Sequence, residues 1–114
     1  MPNQSAISVT GVGPRFAFTF NGTGGSGVGI TCDNVVGTGV SITMIADGKW
    51  TVNHNLGKTG YVGTFTVEDN AAAGAGDHLT ARIYSRSGNT CDIWVEDDGG
   101  ALTNPDFVHG VIYD

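Results

Sequence analysis

Apolar and polar residues alternate along the chain at a period of two, and turn-rich segments separate the alternating runs. Successive side chains of a β-strand point to opposite faces, so this period predicts half-buried strands and not helices. Arg15 to Phe20 places Phe16, Phe18 and Phe20 on one face, and Asn21-Gly22-Thr23-Gly24-Gly25 ends the run. Gly27 to Cys32 predicts a lighter second strand. Gly39 to Ile45 and Lys49 to His54 flank Ala46-Asp47-Gly48, and Gly60 to Glu68 leads into a small-residue loop, Asn70 to Gly76. His78 to Arg86 and Thr90 to Glu96 flank Ser87-Gly88-Asn89, and Asp106 to Tyr113 comes last. Roughly eight short strands with spaced turns predict one all-β domain, an antiparallel β-sandwich or a jelly-roll-like barrel with short loops, over residues 15–114. Residues 1–14 read as an N-terminal arm.

Loop lengths follow from the same pattern, because a one-residue slip sends a strand's apolar set to the wrong face. A three-residue loop at Ala46-Asp47-Gly48 pairs Met44 with Trp50, Ile42 with Val52 and Val40 with His54. A two-residue turn there would mix the faces. Likewise, a three-residue loop at Ser87-Gly88-Asn89 pairs Ile83 with Ile93 and Ala81 with Val95, and sets Arg82 across from Trp94. Such loops need a left-handed residue, so Gly48 and Gly88 are expected at positive φ.

Composition agrees with the strand reading. Of 114 residues, 19 are Gly, with Val and Thr abundant and only three Leu and two Glu, which excludes a helical bundle. Gly63 and Gly110 fall inside strands, where a missing side chain predicts a bulge or the close approach of a neighbour. Eleven acids against five Lys and Arg give a net charge of −6. That field repels a phosphate backbone, so nucleic acid is not an expected partner. No apolar run is long enough to span a bilayer, and Met1 to Ser5 lacks signal-peptide character, so neither a membrane nor a secretion route is expected.

Candidate chemistry is sparse. Cys32 and Cys91 fall in line with the apolar residues of their strands and read as buried, inert thiols or, failing that, a single bridge. His54, His78 and His109 show no ligand spacing around them, so no metal site is expected. Gly22 to Gly27 is Gly-rich but lacks the Lys-Ser/Thr of a phosphate loop. Glu96-Asp97-Asp98 before Gly99-Gly100 reads as a solvated acidic turn. It lacks the spacing of a Ca²⁺ loop, and a hydrolase built on Asp97 and Asp98 is the weakest of the functional readings. No catalytic residue and no cofactor are expected.

The final strand is apolar on both parities, with Phe107, His109, Val111 and Tyr113 on one and Val108, Gly110 and Ile112 on the other. A strand of this kind is central in a sandwich or covered by another subunit. Tyr84 and Trp94 lie opposite their strands' aliphatic residues and with Arg82 form a neighbouring cluster. A loop covers that cluster, or it anchors a contact, since Trp, Tyr and Arg are the usual anchors of interfaces. Arg82, Tyr84, Trp94, Phe107, Val108 and Ile112 are therefore the candidate interface residues.

Several segments in order carry a resemblance. They are FAFTFNGTG from Phe16 to Gly24, Asp33-Asn34-Val35-Val36, Ala46-Asp47-Gly48-Lys49-Trp50-Thr51-Val52, His54-Asn55-Leu56-Gly57 with Tyr61-Val62, and Asp106 to Tyr113. Together they resemble a small β module of phage tail-fibre and virion-surface proteins. Trp50 stands where that module more often has Tyr, and the loop from Ala71 to Gly76 has no counterpart in it. The resemblance implies a non-enzymatic, homotrimeric component of the virion, assembled in the host cytoplasm beside other capsid or tail proteins. Met1 to Pro14 is too short for a fibre shaft and reads as an arm laid against a neighbour, which turns the expectation towards a capsid decoration or cement protein. The alternative is a fibre or spike tip that binds a host receptor or surface glycan. Its loops Asn21–Gly27, Asn70–Gly76 and Asp97–Asn104 would then gather at one end.

Overall fold

A computed structural model describes residues 13–22, 30–69 and 78–114. Eight strands form there: β1 (Phe16–Asn21), β2 (Cys32–Val36), β3 (Ser41–Ala46), β4 (Lys49–Asn53), β5 (Val62–Glu68), β6 (Thr80–Arg86), β7 (Thr90–Glu96) and β8 (Phe107–Tyr113). They build two antiparallel four-stranded sheets, ordered β2-β1-β8-β5 (sheet A) and β3-β4-β7-β6 (sheet B). The chain is thus an all-β sandwich, and no helix occurs among the described residues. Of the expected arm only Gly13 and Pro14 are described. The loop expected at Asn70 to Gly76 lies outside the described residues, as does nearly all of the loop after Asn21.

The inward faces meet in one core. Phe16, Phe18 and Phe20 of β1 and Val108 and Ile112 of β8 face Trp50 and Val52 of β4 and Cys91, Ile93 and Val95 of β7. Trp50 at the centre takes the edge of Phe20 at 5.8 Å between ring centroids. Burying a large apolar side chain stabilises by about 1.5–3 kcal/mol, so the four inner strands carry most of the stability. Being central in sheet A, β8 needs cover on its inner face from this chain alone. Val108 and Ile112 are fully buried there, so these two candidate interface residues are core and offer no surface to a partner.

Two expectations are corrected. The second strand is Cys32–Val36, with Phe20 opposite Cys32 and the ladder running on to Val36 opposite Ala17; of the strand expected at Gly27 to Cys32, Ile30 and Thr31 lie outside any strand and Gly27 to Gly29 lie outside the described residues. The other correction concerns bulges. The inner registers stand as expected, with Met44 opposite Trp50 and Ile83 opposite Ile93. The extra residue of each hairpin, however, lies in a strand and not in the loop. Ala46 pairs with Lys49, leaving Ile45 bulged, and Arg86 pairs with Cys91, leaving Tyr84 bulged. Gly48 accordingly has φ of 74°, whereas Gly88 does not adopt positive φ.

Gly110 fulfils its expectation differently from Gly48. It lies at the centre of β8 on the inner face, and a Cβ there would stand 2.5 Å from Cζ of Phe18 and 2.6 Å from Cε2 of Phe65. The two rings meet edge to face over the bare backbone, 6.0 Å between centroids.

The strand ends give the sandwich polarity. The Gly22 N–H donates to the Asp106 carbonyl at 3.0 Å, and the Asp106 N–H to the Glu68 carbonyl at 2.9 Å. The ends of β1 and β5 and the approach to β8 therefore meet at one end. At the other end the Arg15 N–H donates to the Ile112 carbonyl at 2.7 Å, and Asp114 takes Arg15 and Lys58 as ion-pair partners, each at 3.4 Å.

Candidate binding surfaces

The outward face of sheet B carries the Arg82, Tyr84 and Trp94 cluster that the alternation predicts. Trp94 sits between Lys49 of β4 and Arg82 of β6 in one row across three strands. The bulge leaves Tyr84 outside the regular ladder, and its ring lies flat on Trp94, 3.7 Å between centroids and 3° between planes. Bulges re-aim side chains in this way. The Lys49 ammonium stands 4.2 Å from the Trp94 centroid, and with Tyr84 already on one face it must occupy the opposite one. Arg82 is nearly equidistant from both rings, 5.3 Å from Trp94 and 5.5 Å from Tyr84, which puts it beside the stack and not on it. Its Nε donates to Glu96 at 2.8 Å. Tyr84 remains 53% exposed, so its second face is open.

The rows next to the stack are polar, while Ile45, bulged in β3 beyond Lys49, is exposed. Thr51 donates to Asp92 at 2.9 Å, Ser85 donates to the other Asp92 oxygen at 3.3 Å, and Asn53 donates to Thr43 at 3.3 Å.

Sheet A presents a different outward face. Val36, Ala17, Val111 and Thr64 form one row across all four strands, and Val62 faces Tyr113 in the next. Val62 is 61% exposed and Tyr113 39%, with Val36 similar. An apolar outward row is unusual on a solvated antiparallel sheet. Phe107, also exposed, lies on the same face at the loop end, opposite Asn21 and Glu68.

Between these two regions runs a hydrogen-bonded chain that the sequence alone does not reveal. Thr19 Oγ1 lies 2.7 Å from His109 Nδ1, and His109 Nε2 lies 2.8 Å from Glu68 Oε1. Hydroxyl, imidazole and carboxylate stand in the order of a nucleophile with its base and orienting acid. The chain lies on an open strand face, however, and β8 spends its backbone N–H groups on ladders to β1 and β5. No pair of free donors among them faces a carbonyl oxygen above Thr19, and such donors supply much of the stabilisation in acyl transfer. The three residues come from three strands far apart in sequence, and only the β1–β8–β5 register brings them together.

The remaining candidates are structural. Asp97 accepts the N–H groups of Gly99 and Ala101, both at 2.9 Å, so the acidic turn uses this carboxylate to hold its own backbone. Among the described residues no three His, Cys, Asp or Glu side chains gather in a metal-binding group. Cys32 and Cys91 are free thiols, the first half-buried and the second buried. Burial pushes the Cys91 thiol up to about 11, partly opposed by a hydrogen bond with Tyr61. His54 is 2% exposed, its ring edge-on to Tyr61 at 4.6 Å. Its Nδ1 accepts the Leu56 N–H at 3.1 Å, and its Nε2 is buried with no hydrogen-bond partner. Burial, helped by the Arg86 charge and opposed by the Thr90 backbone, holds the imidazole below its usual range.

Comparison with protein-family models, curated proteins and solved structures returns no match to this chain.

Proposed function

We propose that this chain is a non-enzymatic structural protein of a bacteriophage virion, a capsid decoration or cement knob that assembles as a homotrimer. The reading takes its biological setting from the ordered segments between Phe16 and Tyr113 that resemble virion-surface modules. The observation that carries the assembly is the apolar patch on the outward face of sheet A, where Val36 shares a row with Val111 and the exposed Val62 faces Tyr113 in the next. Exposed apolar patches on an otherwise polar sandwich mark contact sites. A net charge of −6 opposes self-association, but at this end of the sheet Arg15 and Lys58 compensate Asp114. Copies can therefore approach through this face with little charge penalty.

Light scattering on the full chain tests the assembly. The expected mass is three times 11.7 kDa, falling to a single chain in the Val62→Asp/Tyr113→Asp double variant. A wild-type monomer at micromolar concentration refutes the trimer.

The meeting of strand ends supports a second reading, a fibre or spike tip. The ends of β1 and β5 and the approach to β8 meet at one end, from which a receptor-binding tip would present its loops, while Arg15 and Asp114 meet at the other. A particle reconstruction separates the two, with capsid lattice beneath the knob in the first case and a fibre behind it in the second.

A further inference from the structure

We infer that the open face of Tyr84 is a saccharide-binding platform, on which a pyranose ring stacks while Arg82 and Glu96 address its hydroxyls. This platform is independent of the assembly proposed above, because the two sheets turn their outward faces in opposite directions.

The stack is layered. Lys49 covers the far face of Trp94, Tyr84 covers the near face, and the next position outward is open, with Tyr84 53% exposed. Two rings lying flat at 3.7 Å are not in the edge-to-face or offset arrangement that free aromatic pairs prefer. The bulge at Tyr84 and the cations around Trp94 hold them so. Two of the chain's five Lys and Arg residues are spent here. The result is a rigid, flat, electron-rich surface that costs no side-chain ordering when a ligand arrives.

Polar groups at the rim narrow the ligand class. Arg82 uses Nε for Glu96, which leaves its terminal N–H groups as donors, and Glu96 keeps its second oxygen as an acceptor. A donor and an acceptor side by side at the edge of an aromatic plane match two neighbouring hydroxyls of a pyranose whose C–H face rests on the ring. A protein partner fits less well, since interface cores are apolar and the row beside this stack is Thr51, Asp92 and Ser85, with Ile45, bulged in β3 beyond Lys49, the one exposed aliphatic near it among the described residues. The apolar ground suited to a protein contact lies on the opposite sheet.

The test is saturation-transfer NMR on the full wild-type chain. The probes are the methyl glycosides of glucose, galactose, mannose and N-acetylglucosamine, together with maltotriose and lactose. At least one is expected to receive saturation on its ring C–H protons. Tyr84→Ala should weaken that probe by about tenfold or more, the scale of one lost stacking contact, and Glu96→Gln should weaken it while the stack stays intact. Tyr84→Phe should retain binding, which separates the platform from the phenol hydroxyl. Gly60→Ala, which places a methyl group in open space, should leave sugar binding unchanged. Two results overturn the inference: no probe binds in a Tyr84-dependent way, or Tyr84→Ala lowers the mass of the assembly, which makes this face a subunit contact. A monomeric chain that still binds sugar would refute the trimer and leave the platform standing.

Discussion

Gly110→Ala tests the packing of the sandwich at its tightest point. The added Cβ would stand 2.5 Å from Phe18 Cζ and 2.6 Å from Phe65 Cε2, where carbon contacts normally rest near ~3.5–4.0 Å. Each ring must therefore give by about an ångström. Phe18 has little room, since it is buried and stacks on Phe20, and Phe20 in turn meets Trp50. Overpacking of this kind costs about 1–3 kcal/mol, and the narrower unfolded ensemble of Ala returns roughly 0.4–1 kcal/mol. A net loss of about 1–2 kcal/mol remains. Urea unfolding followed by tryptophan fluorescence should show it as a midpoint lower by about 1 M with an unchanged slope. Phe65 is only half-buried, so adding Phe65→Leu should recover part of the loss. Gly60 has open space where a methyl group would stand, with no atom within 4 Å, so Gly60→Ala is the control and should be neutral or slightly stabilising. Equal midpoints for Gly110→Ala and Gly60→Ala would mean that the rings over Gly110 yield freely, against the packing described.

Two further predictions concern the buried titratable groups. His54 is held neutral by burial, so the folded state binds its proton less readily than the unfolded chain. Its stabilisation is complete above the unfolded pKa of about 6.5 and is lost as pH falls below it. Urea midpoints between about pH 7.5 and 5 should fall with acidity, less steeply in His54→Gln; identical slopes would place the cause elsewhere. The buried Cys91 thiol, raised to about 11, should resist a disulfide reagent in mildly alkaline buffer until the protein unfolds, with half-buried Cys32 labelled first. Prompt labelling of Cys91 in the folded chain would contradict its burial.

The inner faces of the sandwich were legible because parity and loop length constrain each other. Met44 opposite Trp50 and Ile83 opposite Ile93 are the pairings that keep both apolar sets inward. Neither constraint places a bulge, since an extra residue in the loop or in the strand leaves the distant register unchanged. The sequence therefore predicts Tyr84 near Trp94 without predicting that a bulge lays one ring flat on the other. β2 escaped for another reason. It is an edge strand with four of five residues exposed, so it has no alternation to read. Lys49 on Trp94 and the Thr19–His109–Glu68 chain depend on pairings between strands distant in sequence, which no local pattern encodes.

Hydroxyl-radical footprinting of the assembled full chain tests the division of labour between the two outward faces most directly, because each face carries an exposed tyrosine. Assembly through sheet A should protect Tyr113 and Val62 and leave Tyr84 oxidised. Protection at Tyr84, with Tyr113 and Val62 left open, would contradict it.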